Sequence, residues 1–217
     1  MRLTWYGHAS FLIEANGLRI ITDPFSPVSG YDPIDEPADI VTLSQDDDRF
    51  HSHVASVRGQ PALANFRTLP AAGVELGGIL FRAVPVWEDV NRSKNPNGMF
   101  YFTADGVSIG HKGDLGHPLN DDELAPLKNV DVLLALAGGI HTIALDALVD
   151  AIGRIRPRIV IPMHYQVGKV NLDILPIDNF LALQPKAEVI HHDSPTIELT
   201  PDTLPDPTKI IILRYAR

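Results

Sequence analysis

Two sheets packed face to face with helices outside is the α/β fold class this sequence predicts, in a single domain spanning residues 1–217. Three observations point to it. Short apolar strands crowd the first half. Strand, helix and strand then alternate between about residues 120 and 165. Further strands close the chain. A length of 217 residues suits one such domain and lets it bury a large core without staples.

The elements read as follows. "LTWYG" and "SFLIEA" are strands flanking Gly7–His8, and Asn16–Gly17 is a hairpin turn before "LRIITDP". Residues 24–38 are rich in Pro, Gly and Asp and read as a loop. "DIVTLS" is apolar without alternation, the mark of a strand buried on both faces. "VELGGILFRAVPVWE" is more strand, and Pro85 places it at an edge or bulge. "GMFYFTADGVSIGH" is a hairpin turning at Asp105–Gly106. "NDDELAPLK" is a short helix capped by Asn120 or Asp121. "VDVLLALAGG" is a buried strand. Residues 142–155 read as a helix with an apolar stripe from Ala144 to Ile155, ended by Pro157. "RIVIPMHY" is the next buried strand. "DNFLALQ" is a short helix, and "AEVIHH", "TIELT" and "KIIILRY" are closing strands.

Composition narrows the function. Hydrophobic residues make up 45% and charged residues 21%, ordinary for a soluble globular protein. There is no cysteine, which removes disulfides, thiolate metal ligands and cysteine catalysis. The net charge of −9 repels phosphate backbones, so nucleic acid is not an expected partner. No apolar run approaches the ~18 residues of a membrane span. "MRLTWYGHAS" reads as a strand, not a leader, so a cytoplasmic protein acting on a small molecule is expected, and a homo-oligomer is compatible with this.

The chemistry-bearing residues sit at strand ends: His8, Asp23, Glu88, Asp114, His141 and His164, with His117 just after Asp114. Strand ends on one rim converge, so their recurrence points to a shared cleft. The acidic loop "SQDDDRFHSHV" follows another strand and carries Asp46, Asp47, Asp48, Arg49, His51 and His53. Its plain alternative is a solvated loop. His53 reads as an exposed helix-start residue, and His191 and His192 as surface or packing residues. "AGGIHT" before a helix could hold an anion on its N–H groups, with His141 and Thr142 facing it, but it is equally a tight turn. There is no Gly-x-Ser-x-Gly elbow.

"MRLTWYGHASFLIEANGLRIITDPF", "IGHKGDLGHPL" and "DVLLALAGGIHTIALDALVDAIGRIRPRIVIPMHY" together resemble the metallo-β-lactamase-fold hydrolases, in particular the branch containing the ascorbate-6-phosphate lactonases. The resemblance covers roughly residues 1–165. It implies a four-layer αβ/βα sandwich with its site on the rim between the sheets. It also implies two divalent metals, usually zinc, held by a His-x-His-x-Asp-His loop, a third-strand His, the Gly-Asp carboxylate and the Pro-Met-His imidazole. The implied reaction is attack of a metal-activated water on a small anionic ester, lactone or phosphoester.

Of the implied ligands, Asp114 and His164 match. His8 and Asp23 match the branch's N-terminal pattern, near the pocket. The signature loop departs from the pattern: read without a gap, its ligand positions hold Gln45, Asp47, Arg49 and Phe50, and Glu88 stands where the third-strand His belongs. Two readings follow. With one extra loop residue, Asp47 or Asp48, His51, Asp114 and His164 hold one metal (manganese, iron or zinc), with Asp114, His8 and His117 in catalytic roles and Asp23, Arg49, Glu88 and His141 around the pocket. Alternatively, Arg49 pairs with Asp114 or Asp47, and the protein is a metal-free binding or assembly protein.

Overall fold

In the computed structural model, which describes residues 1–168, 170 and 172–217, the chain begins with an antiparallel meander: β1 (Arg2–Gly7), β2 (Ser10–Ala15) and β3 (Leu18–Thr22). After a loop holding the two-residue β4 (Glu36–Pro37), β5 (Ile40–Leu43) joins parallel to β3. Then come β6 (Val57–Arg58), which pairs with β4, and β7 (Ala62–Asn65), which joins parallel to β5. β8 (Val74–Leu76), β9 (Ile79–Trp87), β10 (Pro96–Ala104) and β11 (Val107–His111) form a second antiparallel run. The chain then alternates: α1 (Asp121–Leu124), β12 (Val132–Leu136), α2 (Leu145–Ile155), β13 (Ile159–Met163), α3 (Ile177–Ala182), β14 (Glu188–His191). β15 (Thr196–Glu198) returns to pair with β1, and β16 (Lys209–Ile212) inserts between β13 and β14.

The result is a six-stranded sheet ordered β15-β1-β2-β3-β5-β7 and an eight-stranded sheet ordered β14-β16-β13-β12-β11-β10-β9-β8. One continuous apolar cluster fills the space between them, from Trp5, Phe11 and Ile13 to Phe100, Ile109 and Leu134. Truncating Phe11 or Phe100 to alanine would cost about 3–5 kcal/mol through lost transfer energy and cavity formation. The sheets are also joined by a polar contact: His111 Nε2 donates to the Ala9 carbonyl at 2.8 Å, while its Nδ1 accepts the Gly113 N–H.

This is the predicted αβ/βα sandwich, with uneven outer layers. Among the described residues, the three α-helices follow strands of the larger sheet, where parallel neighbours demand crossovers. Loops and 3-10 turns connect the smaller sheet. β5 is buried along its whole length, as its unbroken apolar run requires. Pro85 lies beyond the short β8, where β9 is effectively an edge. Some details differ from the sequence reading. The two-residue β4 and β6 and the four-residue, half-exposed β7 are too short for a periodicity to reveal. α2 begins at Leu145, not at 142, because the Ile143 N–H is drawn to the Leu115 carbonyl.

Candidate metal centre

Four strand ends and one loop deliver the site. At the end of β1, Gly7 turns the chain with φ 135°; a side chain there would strike the Tyr31 ring, its Cβ only 2.5 Å from the nearest ring atom. His8 follows with φ 49°. Asp23 (φ 38°) ends β3 and His164 (φ 53°) ends β13. Such left-handed conformations cost about 1–3 kcal/mol each in a non-glycine residue and cluster at functional sites. The His8 carbonyl accepts the His164 N–H at 3.1 Å, locking the two turns together across the sheets. Gly113 (φ 57°) precedes Asp114, whose N–H is held by Asn97 Oδ1 at 3.1 Å. His51 comes from the loop after β5. There the Asp47 carbonyl takes the N–H groups of Phe50, His51 and Ser52, at 3.3, 2.8 and 2.9 Å, and winds the chain so that His51 turns inward.

The three imidazoles of His8, His51 and His164 are buried, and each offers a ring nitrogen within 4.8 Å of the others. The His8 ring lies 4.0 Å from that of His164 and 5.0 Å from that of His51, centre to centre. Asp114 adds a carboxylate: Oδ2 is 3.5 Å from His51 Nε2 and Oδ1 is 3.5 Å from His164 Nε2. Behind His51 stands Asp23, fully buried. Its Oδ2 meets His51 Nδ1 at 2.9 Å and is held by the Ser44 hydroxyl, while Oδ1 accepts the Ser44 N–H at 2.8 Å. Asp23 therefore fixes the Nδ1–H tautomer of His51 and turns Nε2 into the cleft.

Protonation follows from this placement. Burial, with His164 and His51 nearby, holds the His8 pKa well below the usual imidazole range, so the ring is neutral. Burial also lowers His164, against the pull of Asp114. For His51 burial likewise opposes charge, but contacts with Asp114 and Asp23 outweigh it and push the pKa up to about 10. Burial would raise Asp114, yet the same contact with His51 holds it low.

These residues fit a divalent cation. His8 Nδ1, His164 Nδ1 and Asp114 Oδ1 are buried without a hydrogen-bond partner, which is costly unless something else binds them. Three imidazoles and a carboxylate are also a suitable donor set for zinc, iron or manganese.

The other candidates are placed differently. Asp47 lines the same cleft, but its Oδ1 accepts the Arg49 N–H at 2.9 Å in a local turn, and the residue stands outside the histidine cluster. Asp48 faces solvent and pairs with His53 at 3.0 Å, so its place as a ligand is corrected to a surface one. Asp46 is likewise exposed and pairs with Arg67. Arg49 is exposed, its guanidinium 4.7 Å over the Phe50 ring, and reaches neither Asp114 nor the Asp47 carboxylate with its side chain. His117 has both nitrogens engaged: Nε2 accepts the Trp87 N–H at 3.2 Å and Nδ1 donates to the Pro118 carbonyl at 2.9 Å. No proton shuttle is open to it in that state. His141 (φ 60°) is exposed at the cleft's edge. His8, expected to orient substrate or shuttle protons, lies within the imidazole cluster with His51 and His164.

Glu88 faces a different neighbourhood. Its Oε2 accepts Gln45 Nε2 at 2.9 Å and Asn95 Nδ2 at 2.6 Å. Burial and the Asp114 charge raise its pKa. Gln45 and Glu88, the positions for which the sequence resemblance implied histidines, thus bind each other. Two residues before Asp114, Lys112 is fully buried and its Nζ has no partner, so burial brings its pKa down to about 7.

With this geometry in hand, comparison with known proteins is decisive. A family model described as a beta-lactamase superfamily domain matches residues 2–164, three quarters of the chain. The chain belongs to the metallo-β-lactamase superfamily. A metal-dependent hydrolase of the UPF0173 group from Pyrobaculum arsenaticum is 28% identical over 191 residues, covering 76% of this chain and 84% of that one. Its counterpart from Carboxydothermus hydrogenoformans is 29% identical over 197 residues, covering 78% and 87%. A Thermotoga maritima crystal structure described as a Zn-dependent hydrolase of the superfamily aligns with a TM-score of 0.79 and 27% identity over 99% of both chains. Superfamily membership and fold thus agree with the sequence resemblance. No helix among the described residues is long and apolar enough to cross a membrane.

Proposed function

We propose that this protein is a hydrolase with one divalent metal, held by His8, His51 and His164 together with Asp114, acting on a small ester, lactone or phosphoester. One observation carries the reading: three buried imidazoles converge, those of His8 and His164 each with an unpartnered nitrogen, beside an Asp114 oxygen that also lacks a partner. A divalent ion supplies Lewis-acid polarisation of the bond to be cleaved and lowers the pKa of a water. The chain's own residues do the rest. Asp23 and Ser44 hold the His51 ring. Asp114, desolvated and anionic, keeps Oδ2 beside His51 Nε2 and leaves Oδ1 for the cation. Phe50, Leu172 and Ile174 wall the cleft and limit water there. His141, exposed at the mouth, can meet a leaving group.

The cleft also speaks to substrate charge. The resemblance implied an anion, yet Asp47 and Glu88 line the walls, and carboxylates repel anions at short range. A substrate whose remainder, beyond the bond to be cleaved, is uncharged or positively charged suits these walls better. The metal-free alternative rested on the missing loop histidines and on an Arg49 salt bridge to Asp114 or Asp47; the Arg49 guanidinium instead lies over the Phe50 ring.

The test is direct. Purified without chelator, or reloaded with zinc, manganese or iron, the protein should carry close to one metal per chain by elemental analysis. His164→Ala and Asp114→Asn should carry none. A wild type that holds no metal under any of these conditions overturns the proposal.

A further inference from the structure

We propose that the compartment beside the metal centre, where the superfamily pattern would place a second metal, is a recognition subsite for a positively charged hydrogen-bond donor on the substrate, such as an ammonium, and that Glu88 sets this preference. The proposal rests on the hydrolase reading above and names its substrate class.

Two cavities of about 280 Å³ each adjoin one another. One holds the histidine cluster. The other is lined by Gln45, Asp46, Asp47, Arg67, Glu88 and Asn95. Asp47 and Glu88 line both, so a ligand crossing from one to the other passes these two carboxylates. The Glu88 carboxylate is held in place. Gln45, only 6% exposed, and Asn95 both donate to Oε2. The Glu88 N–H is bound by the Asn95 carbonyl at 3.1 Å, and Gly116 packs so closely on the Glu88 carbonyl that a Cβ there would overlap it. No described residue donates to Oε1.

The arrangement suits an organic cation better than a metal. Gln45 turns its NH₂ group to Glu88, leaving no imidazole or thiolate among the residues lining this cavity. A preorganised carboxylate with one uncommitted oxygen is a strong acceptor for an ammonium N–H. The one guanidinium in the wall, that of Arg67, is engaged by Asp46 and lies over the Phe66 ring. It therefore does not neutralise Glu88. The unpartnered Asp114 Oδ1 faces the adjoining cavity, 93% of that residue being buried, and adds to the negative field.

The test titrates the metal-loaded protein with n-propylammonium chloride and, separately, with 1-propanol, at constant ionic strength. Side-chain amide NMR signals of Gln45 and Asn95 report occupancy. Propylammonium should bind at least about tenfold more tightly than propanol. Glu88→Gln should abolish that discrimination with metal content unchanged. Glu88→Asp, which keeps the charge, should retain part of it and serves if the amide variant folds poorly. Equal binding of the two probes, no amide shift up to about 50 mM propylammonium, or full discrimination in Glu88→Gln would overturn the proposal. Turnover is not needed for this readout and the titration is repeated on the protein without metal, so an absence of bound metal would sink the hydrolase reading while leaving the subsite test readable.

Discussion

His8 Nδ1, His164 Nδ1 and Asp114 Oδ1 are buried with no partner, whereas across the same cleft Gln45 and Asn95 both direct their amides onto Glu88. The first group is unfinished by protein atoms and calls for a cation. The second has closed on itself, and its carboxylate is held by neutral amides. The superfamily pattern would place metal ligands on both sides. Here one half gathers imidazoles and the other holds Gln45 and Glu88. A polar half of a cleft can thus satisfy itself when its side chains hydrogen-bond to each other.

The contrast would break most visibly if the first half did not need its ligands. Removing His51, His164 or Asp114 should take metal content from about one per chain to none, an affinity loss of at least ~10³-fold. His51→Ala should also destabilise the protein by about 3–5 kcal/mol, since it leaves the Asp23 and Asp114 carboxylates buried without their cationic neighbour. Elemental analysis and chemical denaturation measure the two effects. Retained metal in these variants would place the ion elsewhere.

The protonation of His51 sharpens the comparison next. Its pKa in the folded, metal-free protein is raised from 6.5 to about 10 by its two carboxylates. The sign follows from linkage: the proton stabilises the metal-free fold fully below pH 6.5, and this contribution fades as pH climbs through 10. A divalent ion must displace the same proton. Its apparent affinity should therefore rise about tenfold per pH unit between roughly 6.5 and 10 and then level off. Chelator competition at pH 7 and pH 9 should differ by about 100-fold after correcting for the chelator. A flat profile would remove His51 from the ligand set.

How much of this was legible beforehand differs between the two halves. Asp114 and His164 sit in "KGDLGH" and "IPMHY", where strand ends and motif agree, and they are found at the centre. The role of His51 hung on a single extra loop residue, and whether that residue turns the imidazole inward depends on the Asp47 carbonyl gathering three N–H groups, which no spacing rule encodes. Asp48 and Arg49 look as suitable by composition, yet the same turn faces them outward. His8 was read as a substrate-side residue because its approach to His164 depends on two left-handed turns from different sheets tied through one backbone hydrogen bond. The fold was readable because it rests on long apolar strands and the α2 stripe; the short β7 and the first turn expected for α2 were decided by tertiary contacts instead.

Asp23→Asn probes a middle case, a residue that touches no ion but aims one that does. The amide can still accept from Ser44, so the fold should hold. The His51 tautomer is no longer enforced by a charge, and metal affinity should fall by about 10–100-fold, not vanish. Calorimetric titration distinguishes that range from complete loss. Unchanged affinity would mean that packing alone orients the ring.

The smallest effects should come from the closed half. Gln45→Ala and Asn95→Ala each remove one donor from Glu88 Oε2. Each should cost about 0.5–1.5 kcal/mol, near 2–4 °C in Tm for a chain of this size. Because both amides serve one oxygen, the double variant should not equal the sum of the singles, and a double-mutant cycle would read the coupling. Metal content should remain at one per chain throughout. If either variant lost its metal, the two halves of the cleft would be one coupled site, and the separation between a cation-demanding half and a self-satisfied half would fail.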